Sequence, residues 1–160
     1  MPTVNQSGQV TTYVEHDDEK GFAERLFGAD RASAAMGMRM LQGSDGHARV
    51  AMTITDQMTN GHSITHGGYV FAMADTAFAL ACNASGRRTV SSGASIIFLA
   101  PTSSGDELVA EAVERARRGR TGVYDVTVKR GDHIVAEFRG NSREVSDRYA
   151  AESTGDSPAP

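Results

Sequence analysis

From Gly67 to Asn83 the chain reads GGYVFAMADTAFALACN, and between Tyr69 and Cys82 its single charged side chain is Asp75. A helix with no polar face has to be surrounded by the rest of its fold. The run is too short and too interrupted to span a bilayer. Its alanines make a narrow rod that a sheet or a second helix can approach closely. The pattern predicts a core helix over about 68–84, closed by Gly86 as a C-terminal cap.

Asp75 is costly in such a helix. An ionised carboxylate buried without a partner takes up a proton instead. Either it bonds local donors and serves structure only, or it faces a pocket and works as a base or nucleophile. His66-Gly67-Gly68 opens the same helix. Glycine lets backbone N–H groups approach a ligand, and a helix N-terminus carries partial positive charge that suits an oxyanion or a polarised carbonyl. A tight loop-to-helix entry would use the same glycines. Asp75 lies about two turns into the helix, too far along to share a reacting atom with Gly67 of its own chain. A second copy packed antiparallel could supply the missing half, which points to an active site built across a dimer.

The flanking sequence supplies the wrapping layer. DDEKGFAERLFGADRASAAMGM (17–38) reads as a helix with Phe22, Leu26 and Phe27 on one stripe and Gly37 as its stop. A hairpin of about 38–43 and 47–55 follows around GSDG, with Val50, Met52 and Ile54 alternating against Ala51, Thr53 and Thr55. After the core helix, TVSSGASIIFLAP reads as a strand stopped by Pro101. DELVAEAVERARR alternates like a strand, although its alanines and glutamates would also suit a helix. TGVYDVTVKR and HIVAEFRGNSREV read as strands joined by the turn RGDH. Short connections among these last four strands imply antiparallel pairing. The predicted layout is α+β, one antiparallel sheet wrapped around one helix.

A chain of 160 residues has room for one core and not two. A net charge of -4 argues against nucleic acid or a membrane surface as partner. The first residues show neither the basic lead nor the apolar run of a secretory signal. The single cysteine, Cys82, excludes an internal disulfide and agrees with a reducing compartment, so a cytoplasmic location is expected. Segments 1–17 and 147–160 are polar or rich in small residues and proline, and read as flexible tails around a folded unit of about 18–146.

The pattern from Asn60 to Thr76, N-G-H-x3-H-G-G-x6-D-T, followed by FLAP and then GRTGVYDV, resembles the hotdog-fold acyl-CoA thioesterases, and most closely the PaaI-type group of phenylacetate pathways. The resemblance covers about 19–146. It implies a sheet wrapped around a long central helix, in face-to-face homodimers with shared active sites that commonly pair into a dimer of dimers. It implies that Asp75 is the catalytic carboxylate and that the Gly67 N–H polarises the thioester carbonyl. Asn60 and His66 resemble the loop residues that position the thioester, and Thr76 follows the carboxylate. A serine on the next strand would assist the water, with Ser91 preferred over its neighbour Ser92. The implied substrate is an acyl-CoA, in particular phenylacetyl-CoA or a ring-modified relative. Coenzyme A enters as part of the substrate, and neither a separate cofactor nor a metal is implied.

Arg115, Arg117, Arg118 and Arg120 crowd around Gly119 in RARRGRTG. Such a run is often a solvated hairpin tip. Arginine also suits bidentate phosphate contacts, and the resemblance places the nucleotide of coenzyme A near Arg118, Gly119, Arg120 and Thr121. His62 and His66, four residues apart in a loop, lack the further ligands of a metal site. SSG at 91–93 is not the G-x-S-x-G elbow of serine hydrolases, and Cys82 shows no activating partner. A hotdog-type dehydratase would need a histidine on the helix, and none occurs in 67–84. A non-catalytic acyl-CoA-binding domain remains the alternative, although such a module has no need of a buried base.

Overall fold

The computed structural model describes residues 21–145. The tails read at 1–17 and 147–160 lie outside the described residues. Two short helices, α1 (Phe22–Ala29) and α2 (Arg31–Ala35), lead into the hairpin β1 (Arg39–Ser44) and β2 (His47–Thr53). A 3-10 turn at Asp56–Met58 precedes α3 (Gly67–Asn83), and β3 (Thr89–Phe98), β4 (Glu107–Arg118), β5 (Thr121–Arg130) and β6 (His133–Glu144) follow.

The single helix expected over 17–38 is broken. Asp30 leaves the helical region at φ -80, ψ 94 and caps a second helix, its carboxylate accepting the Ala32 and Ser33 N–H groups at 3.0 Å each. Aspartate competes for backbone donors in this way, so it starts helices more readily than it continues them. Gly37 follows at φ +67, a left-handed conformation that ends α2. The segment that could have been a helix, DELVAEAVERARR, is the strand β4. Its alternation puts Leu108, Ala110 and Ala112 in the core, and tertiary burial overrides the helix propensity of Ala and Glu.

All strand pairs are antiparallel, in the order β1-β2-β4-β5-β6-β3. The expectation that the last four strands follow one another as neighbours therefore fails for β3. It pairs with β6 at one edge, while β4 crosses back to pair with β2. The chain between β2 and β4 is thus one excursion that carries both α3 and β3. The sheet curls around α3, and Val50, Met52, Leu108, Val126 and Val128 meet Met73, Ala77 and Leu80 in one core. Phe78 of α3 sits edge-on to Tyr124, with ring centroids 5.3 Å apart, and tilts against Phe138 at 6.0 Å.

In a single chain the wrapping is incomplete. Residues 70, 73, 74, 77, 78 and 80–83 of α3 are buried, but Gly68, Ala72, Asp75, Thr76 and Ala79 line an open stripe. Beside it runs the sheet edge made by β3, where Val90, Ile97 and Phe98 are exposed, with Leu99 just beyond. The helix that looked apolar on every side is enclosed by its own chain on only part of its circumference.

Candidate active site

The helix entrance sorts its backbone donors. His66 is the N-cap of α3, and its Nδ1 accepts the Gly68 N–H at 3.0 Å, so the ring proton of the neutral histidine must sit on Nε2. The Gly67 N–H has no partner among the described residues. It is one of the orphan donors of a helix terminus, where the backbone dipole adds positive potential. A Cβ on Gly67 would stand 2.8 Å from Cζ of Phe98, whose ring packs over the entrance.

The loop before the helix is braced from both sides. The Asn60 N–H donates to the Ile64 carbonyl at 2.8 Å, and Asn60 Oδ1 accepts the His62 N–H at 2.9 Å. The Thr65 N–H donates to the Thr102 carbonyl at 2.7 Å, while the Thr102 hydroxyl donates to Thr65 Oγ1, also at 2.7 Å. The Asn60 side-chain N–H₂ has no protein partner among the described residues. Asn60, Ile64, Gly67, Phe98, Leu99 and Thr102 border a mainly apolar cavity of about 420 Å³.

Asp75 is not in that cavity. It is eight residues beyond Gly67, about 12 Å along the helix axis. Its carboxylate is half-buried on the open stripe, with no hydrogen-bond or ion-pair partner among the described residues. Burial raises its pKa above the usual carboxylate value. Thr76, one residue on, turns away from Asp75 toward α2, and its hydroxyl lies 2.9 Å from that of Ser33. Thr76 borders a second cavity of about 430 Å³, walled by α1, the C-terminal half of α3 and the start of β3. One chain therefore separates the free N–H of Gly67 from the carboxylate of Asp75.

Ser91 pairs with Ser142, which shares the inner face of the sheet with Tyr124. Ser92 is the extra residue of a bulge between Ser91 and Gly93, and its hydroxyl donates to the Asn141 carbonyl at 3.1 Å. Ser91 accordingly stands on the inner side of the sheet, exposed at its edge, whereas the Ser92 hydroxyl is spent on the ladder.

The arginine knot divides into two sorts. Arg115 binds Asp125 at 2.9 Å across the outer face of the sheet, and Arg117 is held by Glu114, Asp45 and the Tyr124 hydroxyl. Arg118 has no partner among the described residues, and Arg120 donates only its Nε, to the Glu144 carbonyl at 3.0 Å. Both stand exposed beside Gly119, whose φ of +57 makes the tight β4–β5 turn, with Thr121 next in line. Among the described residues, no cluster of three His, Cys, Asp or Glu side chains could hold a metal ion. No helix among them is long and apolar enough to cross a membrane.

Two features went unread in the sequence. The Asp-x-x-Ser step at Asp30–Ser33 is a capping signature inside a helical pattern, and it ties α2 to Thr76. Phe98 was visible within FLAP, but its seat over Gly67 depends on the β3–α3 packing and has no local signal.

Residues 62–137 match the thioesterase superfamily. The chain is 41% identical over 131 residues to the acyl-coenzyme A thioesterase PaaI of Escherichia coli (strain K12), covering 81% of this chain and 94% of that protein. The solved structure of E. coli PaaI superposes with a TM-score of 0.76 over 78% of this chain and 91% of its own. A variant of the phenylacetic acid degradation protein PaaI from Thermus thermophilus is 33% identical, with a TM-score of 0.70 over 72% of this chain and 100% of its own. The smu.793 protein of Streptococcus mutans UA159, solved bound to acetyl CoA, is 26% identical with a TM-score of 0.65, over 68% of this chain and 89% of its own. With the helix wrapped by one antiparallel sheet and a relative this similar along nearly its whole length, the chain belongs to the thioesterase superfamily, among the PaaI-type acyl-CoA thioesterases of the hotdog fold.

Proposed function

We propose that this chain hydrolyses an acyl-CoA thioester, phenylacetyl-CoA or a ring-modified relative, at sites shared between two copies. The observation that carries the proposal is that two reactive groups of α3 stand unspent. One is the free Gly67 N–H at a helix terminus, and the other is the unpartnered, half-buried Asp75 carboxylate. A thioester needs its carbonyl polarised and its carbon attacked, and these two groups do both once they face each other.

The open stripe of α3 and the free β3 edge are the surfaces that a second copy would cover. With β3 paired to its equivalent and the two helices antiparallel, Gly67 of one protomer meets Asp75 of its partner. A homodimer is thus the smallest competent unit, and a dimer of dimers is the expected assembly. The Gly67 N–H holds the thioester oxygen, and Asn60 and His66 keep the entrance in shape. Ionised Asp75 acts as nucleophile or as the base that deprotonates water, with Ser91 assisting the water. The carbon–sulfur bond breaks, the thiolate leaves as coenzyme A and takes a proton, and the acid is released. The nucleotide of coenzyme A rests at Arg118, Gly119, Arg120 and Thr121, where arginines meet phosphates. The chemistry asks for no metal and no cofactor beyond the coenzyme A of the substrate.

The test is release of free thiol from phenylacetyl-CoA, 4-hydroxyphenylacetyl-CoA and a fatty acyl-CoA series, with wild type and Asp75→Asn side by side. Turnover of an arylacetyl-CoA by the wild type and none by the variant is the expected result. No release from any substrate would leave a binding module, and full activity of the variant would remove Asp75 from the chemistry.

A further inference from the structure

The cavity that borders Thr76 has a use that the reaction above does not assign. Its walls are largely apolar, from Leu26 and Phe27 of α1, Ala79 and Leu80 of α3, and Val90 of β3. Ala79, one helical turn beyond Asp75 on the open stripe, lines it, so the cavity opens on the same face of α3 as the carboxylate.

Its polar wall has a fixed hydrogen-bond direction. Asp30 Oδ1 accepts two backbone N–H groups, and its Oδ2 lies 2.5 Å from the Ser33 hydroxyl. Burial opposes ionisation of Asp30, but the Ser33 hydroxyl and the Ser33 and Ala32 amides outweigh it and hold its pKa below the usual carboxylate value. An ionised carboxylate only accepts, so Ser33 must give it its one hydroxyl proton. Ser33 can then only accept from Thr76, 2.9 Å away, and the Thr76 proton is committed in turn. What Thr76 shows the cavity is an oxygen with lone pairs and no proton.

The other polar groups there are occupied or at the rim. Asn83 donates to the Ala79 and Thr89 carbonyls and accepts the Thr89 N–H, each at 2.9 Å. The Thr89 hydroxyl donates to the Arg87 carbonyl at 3.2 Å. Arg88 stands exposed at the mouth.

We propose that this cavity takes the acyl group and that Thr76, oriented by Ser33 and Asp30, selects acyl groups bearing a hydrogen-bond donor. The proposal rests on the thioesterase reading and adds to it a specificity device built from three residues on two helices. A phenol hydroxyl can donate to Thr76, whereas a methoxy group at the same ring position can only accept and would face lone pairs.

The test compares kcat/KM for 4-hydroxyphenylacetyl-CoA and 4-methoxyphenylacetyl-CoA. The hydroxy substrate should lead by about 3- to 10-fold, the worth of one net hydrogen bond. Thr76→Val should bring the ratio near unity, and Thr76→Ser should restore it. Ser33→Ala frees the Thr76 proton, so the ratio should fall through a gain by the methoxy substrate. A wild type that prefers the methoxy ester, or a ratio untouched by Thr76→Val, overturns the assignment while continued thiol release leaves the thioesterase reading standing. Failure to release thiol from either ester overturns both.

Discussion

If Gly67 and Asp75 act only across two copies, two dead proteins should make a live one. Gly67→Pro removes the N–H at the first helical position, where proline fits best. The preceding His66 already has φ -66 and ψ 126, the extended conformation a residue before proline prefers. The added ring carbon meets the far end of Phe98, a side chain 52% exposed and free to swing. Losing one such donor lowers kcat by about 100- to 1,000-fold. Asp75→Asn removes the base and leaves the clamp intact. Each variant alone should be nearly inactive. Mixed in equal amounts, unfolded and refolded together, half of the dimers pair one variant with the other. Each mixed dimer has one site carrying both lesions and one carrying neither, so thiol release should return to about one quarter of wild type. The stretch of about 12 Å along one helix sets this outcome, because no site within one chain would be rescued by mixing. Activity of the mixture no greater than the mean of its parents, with mixed dimers shown by mass spectrometry, refutes the shared site.

Asp75→Asn should also raise stability. The folded pKa of Asp75 lies above its unfolded value, so stability is greatest below the unfolded pKa and falls as pH rises through the folded one. The variant should therefore melt higher than wild type near neutrality, with the gap closing below about pH 4. The rising limb of kcat/KM against pH should sit above the ordinary carboxylate range, and a limb at the ordinary value would contradict the burial. Arg118→Ala and Arg120→Ala should each raise KM for an acyl-CoA by up to about tenfold with little change in kcat. A thioester of the bare pantetheine arm should not respond, and added salt should mimic the variants. Gly140→Ala would set a Cβ 3.0 Å from the rings of Phe78 and Phe138, overpacking the core at a cost of about 1–3 kcal/mol in denaturant unfolding.

The sequence made the helix and its odd carboxylate plain because hydrophobic pattern is local. A charge in an apolar run and two glycines after a histidine need no knowledge of the fold. The alternation of Leu108, Ala110 and Ala112 likewise gave β4, despite alanines that suit a helix. What stayed hidden was long-range. Nothing near Phe98 says that β3 leaves its sequence neighbour β4 and pairs with β6. The open stripe was hidden for a related reason, since a helix surface left open by its own chain has the same small apolar composition as one the chain buries. Asp30 was legible and was missed, because an aspartate within a helical period resembles a surface residue until its two amide contacts are seen.

The crossover also bears on how the molecule comes together in time. The strands β4, β5 and β6 form a meander whose contacts are close in sequence, so they can pair early. Pairing β2 with β4 instead closes the long excursion, which is pinned where the Ile54 N–H meets the Asp106 carbonyl at 2.9 Å and the Gly105 N–H returns to Ile54 at 2.8 Å. Loop-closure entropy opposes that step until α3 packs under the sheet, and such non-local contacts slow folding. Gly67, Asp75 and β3 all travel inside the excursion. Gly67 and Asp75 are therefore brought into register late, after the meander that supports them already exists.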